Sequence, residues 1–74
     1  MKVKYVLRTD IVTDDRNQKY TTYGISAINN FKNVLKTFPN IFFSKDKAEE
    51  FVNLCNEEKL ELIHLKDVVE DVLY

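Results

Sequence analysis

Cys55 and His64 are the only cysteine and the only histidine in this chain of 74 residues. A thiol with a neighbouring imidazole is the raw material of a thiolate nucleophile. Cys55, however, falls on the apolar stripe of Ala48, Phe51 and Val52. Burial there raises a thiol pKa and makes it inert, so Cys55 reads as a small core residue. His64, Asp67 and Asp71 recur at spacings of three and four, which puts them on one helical face. Two carboxylates and a single histidine without a second ligand motif do not make a metal site. Their expected role is local, with His64 or Asp67 bonding free backbone N–H groups where the last helix begins. Asp14 and Asp15 lack the regular oxygen spacing of a calcium loop, and turn chemistry accounts for them. The sequence therefore predicts no catalytic residue, no metal and no cofactor, and a protein that is not an enzyme.

Charge is more informative. From Met1 to Lys45 eight basic residues face three acidic ones, a net +5, and from Asp46 to Tyr74 three basic residues face nine acidic ones, a net −6. The overall −1 conceals this division. In the acidic part, Glu49, Glu50, Asn53, Glu57, Glu58 and Glu61 form a surface suited to a basic protein partner, or to imitating phosphates. In the basic part, Lys2, Lys4, Arg8, Lys32 and Lys36 with Tyr20 are the alternative, a platform for single-stranded nucleic acid. The aromatic ladder of RNA-binding sheets is missing from that face.

Composition narrows the class further. One cysteine excludes an intramolecular disulfide, and no apolar run approaches a membrane span. The start at residues 3–7 is apolar but is cut by Arg8 and Asp10, unlike a signal peptide. A cytoplasmic protein is expected. A single glycine, Gly24, and a single proline, Pro39, leave no linker and no phosphate-binding glycine loop.

The elements that must position these residues follow from periodicity. Residues 2–13 alternate, with Val3, Tyr5, Leu7, Thr9 and Ile11 on one face, and residues 19–27 repeat the pattern through Thr21, Tyr23, Ile25 and Ala27. Their apolar faces coincide only if odd positions pair with odd ones, which requires an odd loop, Asp15-Arg16-Asn17. Such loops end on a left-handed residue, so Asn17 is predicted to have positive φ. Ile11 then faces Thr21, Thr9 faces Tyr23, Leu7 faces Ile25 and Tyr5 faces Ala27. Arg8 faces Gly24, marking space or a bulge. Asn29-Asn30 signals the next turn, residues 31–38 read as a third strand, and Pro39 ends it. Ile41, Phe42 and Phe43 anchor the chain before a helix capped by Ser44, running to about Glu58. Residues 60–64 read as extended, and Leu65, Val68, Val69, Val72 and Leu73 form a second helical stripe.

Three stretches carry a resemblance. They are residues 9–15 with 20–25, Pro39-Asn40-Ile41-Phe42-Phe43 running into Lys47-Ala48-Glu49-Glu50-Phe51-Val52, and residues 63–71. Together they resemble a family of small uncharacterised proteins from low-GC Gram-positive bacteria. Members of that family commonly carry glycine in the hairpin turn, where this chain has Asn17. The resemblance implies a stand-alone intracellular bacterial or prophage-borne protein and assigns no functional residue.

The sequence thus predicts one α+β domain over residues 1–74, a three-stranded antiparallel meander with two C-terminal helices packed on one face. Residues 1–38 form the basic meander and residues 44–74 the acidic helical part. The expected core is Val3, Tyr5, Leu7, Ile11, Ile25, Leu35, Phe42, Phe51, Val52, Cys55, Leu62, Leu65, Val68, Val69 and Val72. A core this size leaves only ~3–5 kcal/mol, so homo-oligomerisation is a natural supplement. The leading functional expectation is a non-enzymatic, regulatory protein-binding module acting through the acidic helix face. One version is a phage or mobile-element inhibitor of a host nuclease, and the alternative is nucleic-acid binding by the basic sheet.

Overall fold

The computed structural model describes residues 3–73. Strands β1 (Lys4–Thr13), β2 (Lys19–Ile28) and β3 (Val34–Phe42) precede helices α1 (Lys45–Glu57) and α2 (Leu62–Leu73). The sheet is antiparallel with order β1-β2-β3, so β2 is central and both other strands are edges. This is the α+β architecture read from the sequence.

The first hairpin has the expected register: Ile11 pairs with Thr21, Thr9 with Tyr23, Leu7 with Ile25, Tyr5 with Ala27 and Arg8 with Gly24. Asn17 sits at φ 61°, as its loop position requires. Asp14 closes this turn: its N–H donates to Gln18 O, and its Oδ1 accepts from the N–H groups of Arg16 and Gln18. The second hairpin repeats the device. Asn29 N–H donates to Asn33 O, Asn29 Oδ1 accepts from Phe31 and Asn33 N–H, and Lys32 takes the left-handed position at φ 62°. In both turns an Asx side chain satisfies donors that a short loop leaves free.

The third strand differs from expectation. It runs over Val34–Phe42 and passes through Pro39 instead of stopping there. Tyr23 pairs with Phe42 and Ile25 with Phe38, so Pro39, Asn40 and Ile41 bulge opposite Gly24. Proline is tolerated because β3 is an edge strand. A Cβ on Gly24 would run into the carbonyl oxygen of Phe38 and lie 2.8 Å from Pro39 Cα. The glycine therefore gives β3 room to bulge. A second shift leaves Leu35 unpaired between Lys36, opposite Ala27, and Val34, opposite Ile28. Leu35 is consequently half-buried and outside the core, and Phe38 packs there instead.

Both helices cover the face that carries Tyr5, Ile25 and Ala27, which with Phe51, Val52, Cys55, Leu65 and Val69 make the buried core. Full burial of a side chain such as Ile25 or Leu65 contributes about 2 kcal/mol. Val3, Leu7, Phe42, Leu62 and Val68 pack around its margin. Ser44 caps α1 by accepting from Lys47 N–H at 3.4 Å. Lys59, at φ 51°, ends it: Lys59 N–H donates to Asn56 O and Leu60 N–H to Cys55 O, the paired bonds of a Schellman motif. That sharp exit lets α2 start at Leu62, so Ile63 and His64 are helical where an extended segment was expected.

Besides Leu35, three expected core or anchor residues lie outside. Ile11 is 69% exposed, Phe43 81% and Val72 42%. The helices cover only the Tyr5 end of the long first hairpin, and Ile11 lies beyond them. The molecule is accordingly elongated, 44 × 27 × 19 Å. No helix among the described residues is long and apolar enough to cross a membrane.

Candidate functional site

The sequence offered a nucleophile, a metal cluster, a basic platform and an acidic face. Cys55 is buried on α1, and burial raises its thiol pKa, which keeps it protonated. His64 is exposed on α2, with Nε2 3.9 Å from Glu61 Oε2. Among the described residues no group of three His, Cys, Asp or Glu side chains could hold a metal ion, so His64, Asp67 and Asp71 do not converge on one. Nor does the His64 or Asp67 side chain cap α2; the backbone N–H of His64 donates to Glu61 O at 2.9 Å.

The basic residues do not share a face. Even-numbered residues of β1 point away from the helices, which places Lys4 and Arg8 on the open side. Lys36 pairs with the fully buried Ala27 and so points to the helix side, lining a cleft with Phe38, Leu62, Ile63 and Lys66. Lys32 sits in the second turn and Lys2 lies outside the described residues. Arg8 is held by Asp10 through a two-point ion pair, Nε to Oδ2 at 2.7 Å and Nη2 to Oδ1 at 3.1 Å. Tyr20 donates its hydroxyl to Asp14, which raises the phenol pKa and, with the Gln18 and Arg16 N–H groups, lowers that of Asp14.

The acidic face is intact. Glu49, Glu50, Glu57, Glu58 and Glu61 are all exposed along α1 and its exit. Glu50, Leu54, Glu57 and Glu58 follow one another along α1 and its C-cap at helical spacing, which aligns them in one stripe, and Glu61 lies past the left-handed exit at Lys59. Leu54 is 53% exposed in the middle of it. Glu49 is ion-paired with Lys45 at 3.9 Å and Glu61 Oε2 lies 3.9 Å from His64 Nε2, whereas Glu50, Glu57 and Glu58 have no such partner among the described residues. The apolar stripe of the helix faces inward, so these carboxylates are left to solvent.

Asn56, on the side of α1 next to this stripe, was not singled out by sequence reasoning. Its side-chain amide lies beside β1: Tyr5 N–H donates to Asn56 Oδ1 and Asn56 Nδ2 donates to Tyr5 O, both at 2.8 Å. The amide occupies the place of a neighbouring strand. Tyr5 is clamped again by its hydroxyl, which donates to Leu60 O at 2.6 Å. Burial, and then the nearby Cys55 thiol, raise the Tyr5 pKa. The one sequence signal for Asn56 was an amide, able to donate and accept, bordering the buried stripe of a helix.

A three-stranded sheet with two helices on one face, acidic along the outside of the first, defines a small α+β protein with segregated surface charge. The chain belongs to the Family of unknown function (DUF6514), whose model matches residues 1–74. No curated protein matches it, and no solved structure does.

Proposed function

We propose that this chain is a non-enzymatic protein-binding module that regulates its partner, with the outer stripe of α1 as the contact. The supporting observation is an exposed leucine, Leu54, set among Glu50, Glu57 and Glu58, three carboxylates with no ion-pair partner among the described residues. An apolar anchor ringed by like charges is the anatomy of a protein contact whose partner is basic around an apolar pocket. The buried, protonated Cys55 and the separate His64 support a non-catalytic reading. A lone, unpaired thiol supports a cytoplasmic setting, and the resemblance carried by residues 9–15 with 20–25, 39–43 with 47–52, and 63–71 supports an origin in low-GC Gram-positive bacteria.

The test is capture of binding proteins from a lysate of the native host, with wild type and two variants side by side. Glu50→Lys with Glu57→Lys, and separately Leu54→Ser, should each abolish the same captured band while circular dichroism stays native. Raising salt should weaken the wild-type capture. A band that survives both variants refutes the α1 stripe as the contact.

A further inference from the structure

We propose that β1 is a self-pairing edge, through which two copies of this chain join their sheets into one of six strands. In β1 alternate residues bond to β2. Asp14 N–H donates to Gln18 O in that ladder, and Tyr5 turns both backbone groups outward to Asn56. Even positions therefore bond to β2, and the odd positions Leu7, Thr9 and Ile11 direct N–H and C=O to the open edge. Among the described residues nothing bonds to that edge after Tyr5.

The segment Leu7-Arg8-Thr9-Asp10-Ile11 is complementary to itself when reversed. A two-fold axis at Thr9 sets Thr9 opposite Thr9 of the second copy, Leu7 opposite Ile11, and Arg8 opposite Asp10. The outward-facing pairs exchange about six backbone hydrogen bonds. On the helix side, the exposed Ile11 lands beside Leu7, at the core margin. On the open side, the two Arg8–Asp10 ion pairs merge into a cluster of four.

Charge fixes this register. Sliding by one step that keeps the outward groups paired puts Arg8 on Arg8 in one direction and Asp10 on Asp10 in the other, and like charges directly opposite are unfavourable. In the Thr9-centred register Thr13 falls opposite Tyr5, whose backbone groups Asn56 already holds, so pairing ends at Leu7 and Ile11. The first of these slides sets Ile11 opposite Tyr5 instead and loses that pair. The occupant is a second copy of this chain because the edge itself carries the complementary sequence.

The experiment is light scattering after size exclusion, up to roughly 1 mM. Wild type should move from monomer to dimer with concentration. Asp10→Arg alone and Arg8→Asp alone each place like charges across the axis and should weaken self-association about 100-fold. Mixed in equal amounts, the two variants should form a heterodimer, since each supplies what the other lacks. Recovery of pairing in the mixture shows that both variants are folded. Thr9→Pro, which removes an edge N–H not used within the chain, should be monomeric with an unchanged circular dichroism spectrum. A wild type that stays monomeric throughout, or two variants that dimerise alone as well as together, overturns the proposal.

Discussion

β1 and β3 are both edge strands, yet they treat their free side differently. β3 is broken by two register shifts, carries Pro39, and turns Asn40 into the left-handed region at φ 60°. Each of these features prevents a further strand from pairing along it. β1 runs ten residues in unbroken register with β2, and among the described residues only its Tyr5 position is occupied, by the Asn56 amide. A small sheet has to manage two edges. This one spoils β3 by distortion and leaves most of β1 regular, with a stop at one end.

The contrast can be broken from the β3 side first. Gly24→Ala drives a methyl group into the Phe38 carbonyl and Pro39, so the bulge must move. The expected loss is about 3 kcal/mol, most of the stability of a core this size. Urea denaturation should show a much lower midpoint, and an unaltered midpoint would mean that the bulge is not rigid. On the β1 side, Asn56→Ala leaves the Tyr5 N–H and C=O without partners, at about 2 kcal/mol. It should also lengthen the open edge, so the variant should associate more readily than wild type in sedimentation.

Tyr5→Phe tests the second clamp on β1 and should cost about 1 kcal/mol. Because the folded state raises the Tyr5 pKa, this contribution is complete below the unfolded value near 10 and is lost as pH rises through the folded one. Alkaline denaturation of the Phe variant should be less steep. Lys32→Gly relieves a left-handed lysine just ahead of β3 and should raise stability by about 0.5 kcal/mol, read from thermal unfolding. The smallest effect is expected at the tip of the first hairpin. Asp14 has a lowered pKa, so its contribution is present above about pH 4 and fades as acid titrates the folded carboxylate. Asp14→Asn should flatten the stability profile in that acid range, and a parallel profile would remove Asp14 from the account.

Much of this was legible in the residues. Parity alone gave the first hairpin register, and a three-residue loop demanded a left-handed Asn17. The buried stripe of α1 was readable because Ala48, Phe51, Val52 and Cys55 repeat with the helical period. Pro39 misled, since a proline that ends a central strand can sit inside an edge strand that bulges. Ile11 was assigned to the core by the alternation that correctly placed Leu7. Alternation reports which face a residue takes, not how far the covering helices reach. The acidic stripe was visible as charge, whereas the coupling of Asn56 to Tyr5 joins residues 51 apart in sequence and leaves no periodic trace.

That coupling has a consequence for measurement. The amide proton of Tyr5 belongs to a strand but is held by a helix. Its exchange with solvent therefore follows the lifting of α1 from the sheet rather than the fraying of β1 from β2. A single amide resonance thus becomes a gauge of helix docking, read without any label or substitution.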